Sequence, residues 1–165
     1  MRLRNTPLAL AALVAITGAS AASAADWRTY SNARYGFSLQ YPGDIFAVER
    51  TTEADDGRLF VAKNGDAQLL VGTLPNDTAF TPRSYQTYVA QNSYADYRIS
   101  YQRRGDSWFA LSGEGNGKIF YEKAMFSCAG RRINSFAVIY PSDQRAIFDR
   151  IVERVEDSFR PGRRC

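Results

Sequence analysis

The chain has 165 residues, 45% of them hydrophobic and 23% charged, with a formal charge of +4, two cysteines and no histidine. This is the balance of an ordinary folded protein rather than a disordered one. The lack of histidine excludes Ser-His-Asp and Cys-His nucleophilic mechanisms and every histidine-ligated metal site within the chain.

Arg2 and Arg4 precede an apolar run from Leu8 to Ile16, and Ala22-Ser23-Ala24 supplies small residues in the pattern of a cleavage site. Residues 1–24 are therefore expected to be a secretory signal peptide, cleaved after Ala24 or Ala25, leaving one globular domain over residues 26–165. The apolar run is shorter than the roughly 20 residues a bilayer requires, and no later run is longer, so the mature chain is expected to have no integral membrane segment. No cysteine stands at the cleavage site for lipid attachment. A short basic start with an Ala-rich end has a bacterial character, which points to the periplasm. Loss of Arg2 and Arg4 leaves a charge of +2, too weak an excess for a nucleic-acid binder.

In an oxidising compartment the lone pair Cys128 and Cys165 is expected to form a disulfide. The bridge would close a loop of nearly forty residues and stabilise by about 4 kcal/mol on a chain-entropy argument. An intermolecular bridge through the terminal Cys165, or a free thiol, is the alternative.

In chain order, Asp26 to Asn32 reads as a lead-in whose Trp27 and Tyr30 cover one edge of the core. Tyr35 to Pro42 alternates apolar with small or polar residues and stops at a proline, the pattern of a half-buried first strand. Pro42-Gly43-Asp44 is a turn, Phe46 to Arg50 a short strand, and Glu53 to Gly57 a solvated acidic loop without the ligand spacing of an EF-hand. Arg58 to Lys63 and Ala67 to Leu74 form a hairpin around Asn64-Gly65-Asp66. Apolar residues on both faces of that hairpin predict cover from both sides.

Thr81-Pro82 opens a helix, threonine as N-cap and proline in the first turn, with Tyr85, Tyr88, Val89 and Asn92 on one side and an end near Ser93. Four strands follow, Tyr97 to Arg103, Ser107 to Gly113, Lys118 to Ser127 and Arg132 to Tyr140, which predicts an antiparallel meander. Gly113 to Gly117 reads as hairpin chemistry rather than a phosphate loop, since no helix begins there. Ser142 is expected to cap a final helix whose core stripe runs through Ile147, Phe148, Ile151, Val152, Val155 and Phe159.

The opening Tyr30-x-Asn32-x-x-Tyr35-Gly36-Phe37-Ser38-Leu39-x-Tyr41-Pro42, the mixed middle and a last helix ending in Ser158-Phe159 resemble the PsbP-like group. That group includes small secreted bacterial proteins that share the α/β/α sandwich of a photosystem oxygen-evolution subunit and of a Ran-GTPase release factor. The resemblance covers about residues 27 to 160. It implies an α+β fold, an α/β/α sandwich with a largely antiparallel central sheet flanked by helices, and a non-enzymatic module that docks onto other macromolecules. It carries no functional residue over to a numbered position.

Chemistry-bearing constellations are few. No dinucleotide glycine pattern or haem-attachment cysteine pair occurs, so no cofactor is expected. A Ser-Lys dyad through Lys63, Lys118 or Lys123 lacks its Ser-x-x-Lys motif. Glu114 and Glu122 can approach one another on adjoining strands, as glycoside hydrolysis requires, but carboxylates at such positions are usually surface charge. If Cys128 bonds Cys165, then Arg131, Arg132, Arg163 and Arg164 are tethered to one end, where guanidinium forks suit carboxylate or phosphate. Splaying into solvent is the plainer role for four like charges. The expectation is an exported, non-catalytic binding or assembly module. A small-ligand or cell-wall binder using the arginine end against peptidoglycan carboxylates or lipopolysaccharide phosphates is the first alternative, and an enzyme of unfamiliar type the second. The partner is expected to be a protein or the cell envelope, and the three readings call for an exposed apolar patch, a concave pocket, and a buried carboxylate or lysine of shifted pKa, respectively.

Overall fold

The computed structural model describes residues 26–165, so the signal peptide expected over residues 1–24 lies outside the described residues. Among the described residues nine strands and two α-helices follow in the order β1 (Trp27–Ser31), β2 (Ser38–Pro42), β3 (Phe46–Thr51), β4 (Gly57–Ala62), β5 (Gln68–Pro75), α1 (Pro82–Asn92), β6 (Arg98–Arg104), β7 (Trp108–Gly115), β8 (Lys118–Ser127), β9 (Arg132–Pro141) and α2 (Arg145–Ser158). Seven strands form one antiparallel sheet in the order β3-β4-β5-β9-β8-β7-β6, and β1 and β2 form a separate two-stranded ribbon. The meander over β6 to β9 and the β4–β5 hairpin are both present.

Local chemistry explains most joints. Asn116 and Gly117 take positive φ angles of 52° and 71°, which suits the primed turn joining β7 to β8. Thr81 caps α1 by accepting from the Ser84 amide at 3.1 Å, and the Ser84 hydroxyl returns a bond from the Thr81 amide at 2.9 Å. The expected Ser142 cap is absent. A 3-10 turn, Ser142–Gln144, intervenes, and α2 starts at Arg145 without a side-chain cap. Pro141 is still extended, at φ −62° and ψ 138°, and pairs with Lys118 as the last residue of β9.

Two layers cover one face of the sheet. The stripe Phe148, Ile151, Val152, Val155 and Phe159 meets Phe136, Val138, Tyr140, Leu69 and Phe60, while Phe37, Leu39 and Tyr41 of the ribbon side close the edge. Ile147 is not in this stripe and is 52% exposed. The strand expected over Tyr35 to Pro42 is shorter, since Tyr35-Gly36 lies in a turn with Gly36 at φ +80° and the strand begins at Ser38. It lies outside the main sheet and pairs with Trp27–Ser31, a strand where a lead-in was expected. Trp27 and Tyr30 do pack on the core edge.

The C-terminal tail is tied at three places. Arg160 bridges Ser38, the Gly162 amide donates to Oδ1 of buried Asn134 at 3.0 Å, and Cys165 bonds Cys128 with a Cα separation of 5.6 Å. The intramolecular pairing excludes a free thiol among the described residues.

The opposite face belongs to α1. Tyr85 and Val89, with Tyr94 just after the helix, pack on Phe109, Leu111, Phe120, Ala124 and Ile133. Tyr88 and Asn92, expected beside them, are exposed. The central sheet thus lies between α1 on one side and α2 with the ribbon on the other.

Candidate functional site: a trough beside helix α1

Helix α1 has 11 residues, a length of about 16 Å at 1.5 Å per residue, whereas seven strands at about 4.8 Å spacing span about 29 Å. It packs over β7 and β6. On this face the α1-side core takes in Ile133 of β9 and Leu74 of β5 but not Leu59 or Leu70, so the cover expected on both sides of the β4–β5 hairpin is missing on this one. Leu70 is 40% exposed as a result.

Strand register places one continuous row across this face. Arg50 of β3 opposes Leu59 of β4, Leu59 opposes Leu70 of β5, Leu70 opposes Ala137 of β9, and Ala137 opposes Glu122 of β8. Glu122 in turn opposes Leu111, which α1 covers. Glu122 thus stands where the covered half of the face meets the open half. The adjoining row is built of small residues, Gly57 against Gly72 and Gly72 against Ser135, which deepens the floor. A Cβ on Gly72 would sit 3.1 Å from the Asp56 carbonyl oxygen, so a side chain there would push that carbonyl back by a few tenths of an ångström. The outcome is a trough of about 680 Å³, with Leu59, Leu70, Ala137 and Ile139 on its floor, Ser93, Tyr94 and Glu122 at the α1 end, and Arg50 at the far edge.

Glu122 is 8% exposed. Its Oε2 accepts from the Tyr94 hydroxyl at 2.7 Å, and among the described residues its other oxygen has no hydrogen-bond partner. Burial pushes the carboxyl up to about 7, only partly opposed by the Tyr94 hydrogen bond. Tyr94 is fixed by stacking on Phe120, with ring centroids 3.5 Å apart. Burial and the adjacent Glu122 raise its pKa, so it remains a donor at neutral pH. Tyr85 is pushed up to about 12 by burial and, next, by Glu122.

The expected site residues divide differently. Glu114 is not a partner for Glu122, because it opposes Ile119 on the α2 face and accepts from Arg145 at 3.0 Å. A strand turns successive side chains to opposite faces, and positions 114 and 122 fall on different ones. Nor is Glu122 surface charge. Lys63, Lys118 and Lys123 do not line the trough, and Lys123 pairs with Glu156 at 2.7 Å.

At the disulfide end the Arg132 guanidinium lies 4.6 Å from the Tyr35 ring centre, and Arg164 donates to the Ala33 carbonyl. Two of the four arginines are thus engaged in packing the turn before β2. Arg131 and Arg163 are exposed, with no side-chain hydrogen bond or ion pair among the described residues. Sequence reasoning overlooked the trough, although one signal was present. Glu122 shares a strand face with Phe120 and Ala124, and a charged residue between two core positions of a central strand is rarely exposed.

No family model matches this chain, and no curated protein matches it. Solved structures do. The solution structure of the cyanobacterial PsbP, CyanoP, from a Synechocystis species superposes with a TM-score of 0.58 at 14% identity, covering 88% of this chain and 98% of that one. The Saccharomyces cerevisiae Ran-binding protein Mog1p gives a TM-score of 0.60 at 7% identity, covering 84% and 96%. The chain has the PsbP-like fold. At these identities the PsbP likeness is one of architecture, and function has to be argued from the site. Among the described residues no group of three or more His, Cys, Asp and Glu side chains is placed to hold a metal ion, and no helix is long and apolar enough to cross a membrane.

Proposed function

We propose that the protein is an exported, non-catalytic binding module of the bacterial periplasm whose ligand lies in the trough beside α1. The observation that carries this reading is the uncovered row Leu59-Leu70-Ala137 ending at buried Glu122. A concave, mostly apolar surface with one placed polar group is the usual form of a ligand site, and about 680 Å³ falls within the usual range of 300–1,000 Å³. Glu122 hydrogen-bonds Tyr94, Asp56 is tied to Thr52, and among the described residues the lining holds no lysine or cysteine to act as a nucleophile or to activate a serine, which supports binding over catalysis. Export rests on the basic start, the short apolar run and the small-residue site within residues 1–25.

The test is a neutral solvatochromic dye. Nile red is expected to bind one to one with enhanced emission. Leu70→Arg should weaken binding at least tenfold without lowering the melting temperature by more than a degree or two, because Leu70 is already part-exposed. Equal binding by the wild type and Leu70→Arg would remove the trough from consideration.

The arginine end is a second reading for an anionic partner. It is supported by the exposed Arg131 and Arg163, brought to one end by the Cys128–Cys165 bond. Arg131→Glu with Arg163→Glu should then abolish salt-sensitive binding to lipopolysaccharide or peptidoglycan. Unchanged binding at low salt would remove that reading.

A further inference from the structure

We infer that the trough takes a small lipophilic amine, its apolar body lying over Leu59, Leu70 and Ile139 and its ammonium group donating to the free oxygen of Glu122. This inference rests on the trough being the ligand site, and adds the chemical class of the ligand.

Charge complementarity selects the ligand head. Four charged residues line the trough, Arg50, Asp56, Arg58 and Glu122. The Arg58 guanidinium is turned to the other face, where it reaches Glu49 and Asp55 at 3.4 and 3.8 Å and lies 5.0 Å from the Tyr30 ring centre. Asp56 accepts from the Thr52 hydroxyl at 2.6 Å, and Arg50 is exposed at the edge strand. Glu122 alone is both buried and without an ion-pair partner, with one oxygen uncommitted. A buried carboxylate is costly until a cation with hydrogen-bond donors meets it. An ammonium supplies the charge and up to three N–H donors in a compact head. A neutral alcohol leaves the charge unpaired, and a carboxylate head meets a like charge. The row beyond Glu122 presents Ala137, Leu70 and Leu59, with Ile139 beside it, so the part of the ligand that lies over this row is apolar, while Ser135, in the adjoining row, and Thr73 also line the trough.

The pH dependence has a definite sign. The groups facing Glu122 are Tyr94 and Tyr85 from the α1 side, both held in their protonated form by raised pKa values, with Arg50 and Asp56 across the trough. The ammonium favours ionised Glu122, whose carboxyl is pushed up to about 7 by burial. Affinity should therefore rise by about tenfold or more between pH 5.5 and pH 8, with proton release on binding that fades above pH 8.

Titration calorimetry of the mature protein with decylamine, decanol and decanoate, each below its micellar concentration, separates the possibilities. The expected result at pH 8 is decylamine binding at least tenfold tighter than the other two, a preference lost in Glu122→Gln, while Leu70→Arg removes binding of all three. Equal binding of decanol or decanoate, or an amine preference that survives in Glu122→Gln, would overturn the amine inference while leaving the trough reading in place. No binding by any of the three, or binding that Leu70→Arg leaves untouched, would overturn both.

Discussion

The two faces of one sheet have received different treatment from the same chain. The α2 face is sealed by a 14-residue helix and by the β1–β2 ribbon, which together bury the aromatic core around Phe37, Phe60, Phe136 and Phe159. The α1 face has a shorter helix and no ribbon, and the cover ends at Glu122. The contrast separates stability from function in physical terms. The sealed face and the half covered by α1 hold the fold together, and the uncovered rows keep apolar surface in reach of solvent at a cost in stability that a ligand can offset.

Mutations that treat the two faces unequally sharpen this comparison. Phe136→Ala, fully inside the α2-side core, should cost about 3–5 kcal/mol in denaturant unfolding. A cost below 1 kcal/mol would mean that this face is not the structural one. Replacing both cysteines by serine should cost about 4 kcal/mol, since the bond closes a loop of sequence separation 37 at the sealed end, while dye binding in the trough stays unchanged. Loss of dye binding in a still-folded double variant would show that the two regions are coupled.

Glu122→Gln is the sharpest test of the boundary itself. The folded pKa of about 7 lies above the ordinary 4.5, so the native state holds a proton more tightly than the unfolded chain. Stability contributed by the neutral carboxyl is therefore present below pH 4.5 and is lost as pH rises through 7. At pH 8 the variant should be more stable than the wild type by on the order of 3 kcal/mol, and the difference should shrink toward zero near pH 4.5. A stability difference independent of pH would contradict the burial assigned to Glu122. At the small end, Leu70→Ala on the open face should cost less than about 1 kcal/mol, several-fold below Phe136→Ala. A comparable cost would indicate that the open face is covered after all.

Much of the sheet was legible because its signals are local. Lys118 to Ser127 was read with the observed bounds, the Thr81-Pro82 start of α1 follows from capping chemistry, and Asn116-Gly117 from turn chemistry. The α/β/α layering came with the resemblance carried by the Tyr30 to Pro42 motif, the mixed middle and the last helix ending in Ser158-Phe159. The ribbon was not legible, since Trp27–Ser31 pairs only with β2 and its alternation is too short to stand out. The trough was not legible either. It depends on β9 inserting between β5 and β8, a non-local pairing that sets Ala137 between Leu70 and Glu122. It depends as well on how far α1 reaches across the sheet, which an apolar pattern in the strands does not reveal. The β4–β5 hairpin has apolar residues on both faces because one packs on the core and the other lines the trough, and composition alone does not separate these settings.

The most direct measurement is an amide chemical-shift map of the isotopically labelled protein titrated with Nile red. The account predicts that the perturbed residues gather at Leu59, Leu70, Ala137, Ile139 and Glu122, with the α2 stripe and the Arg131 and Arg163 end unmoved. Perturbations centred on the α2 face or on the arginine end, with the trough silent, would contradict it.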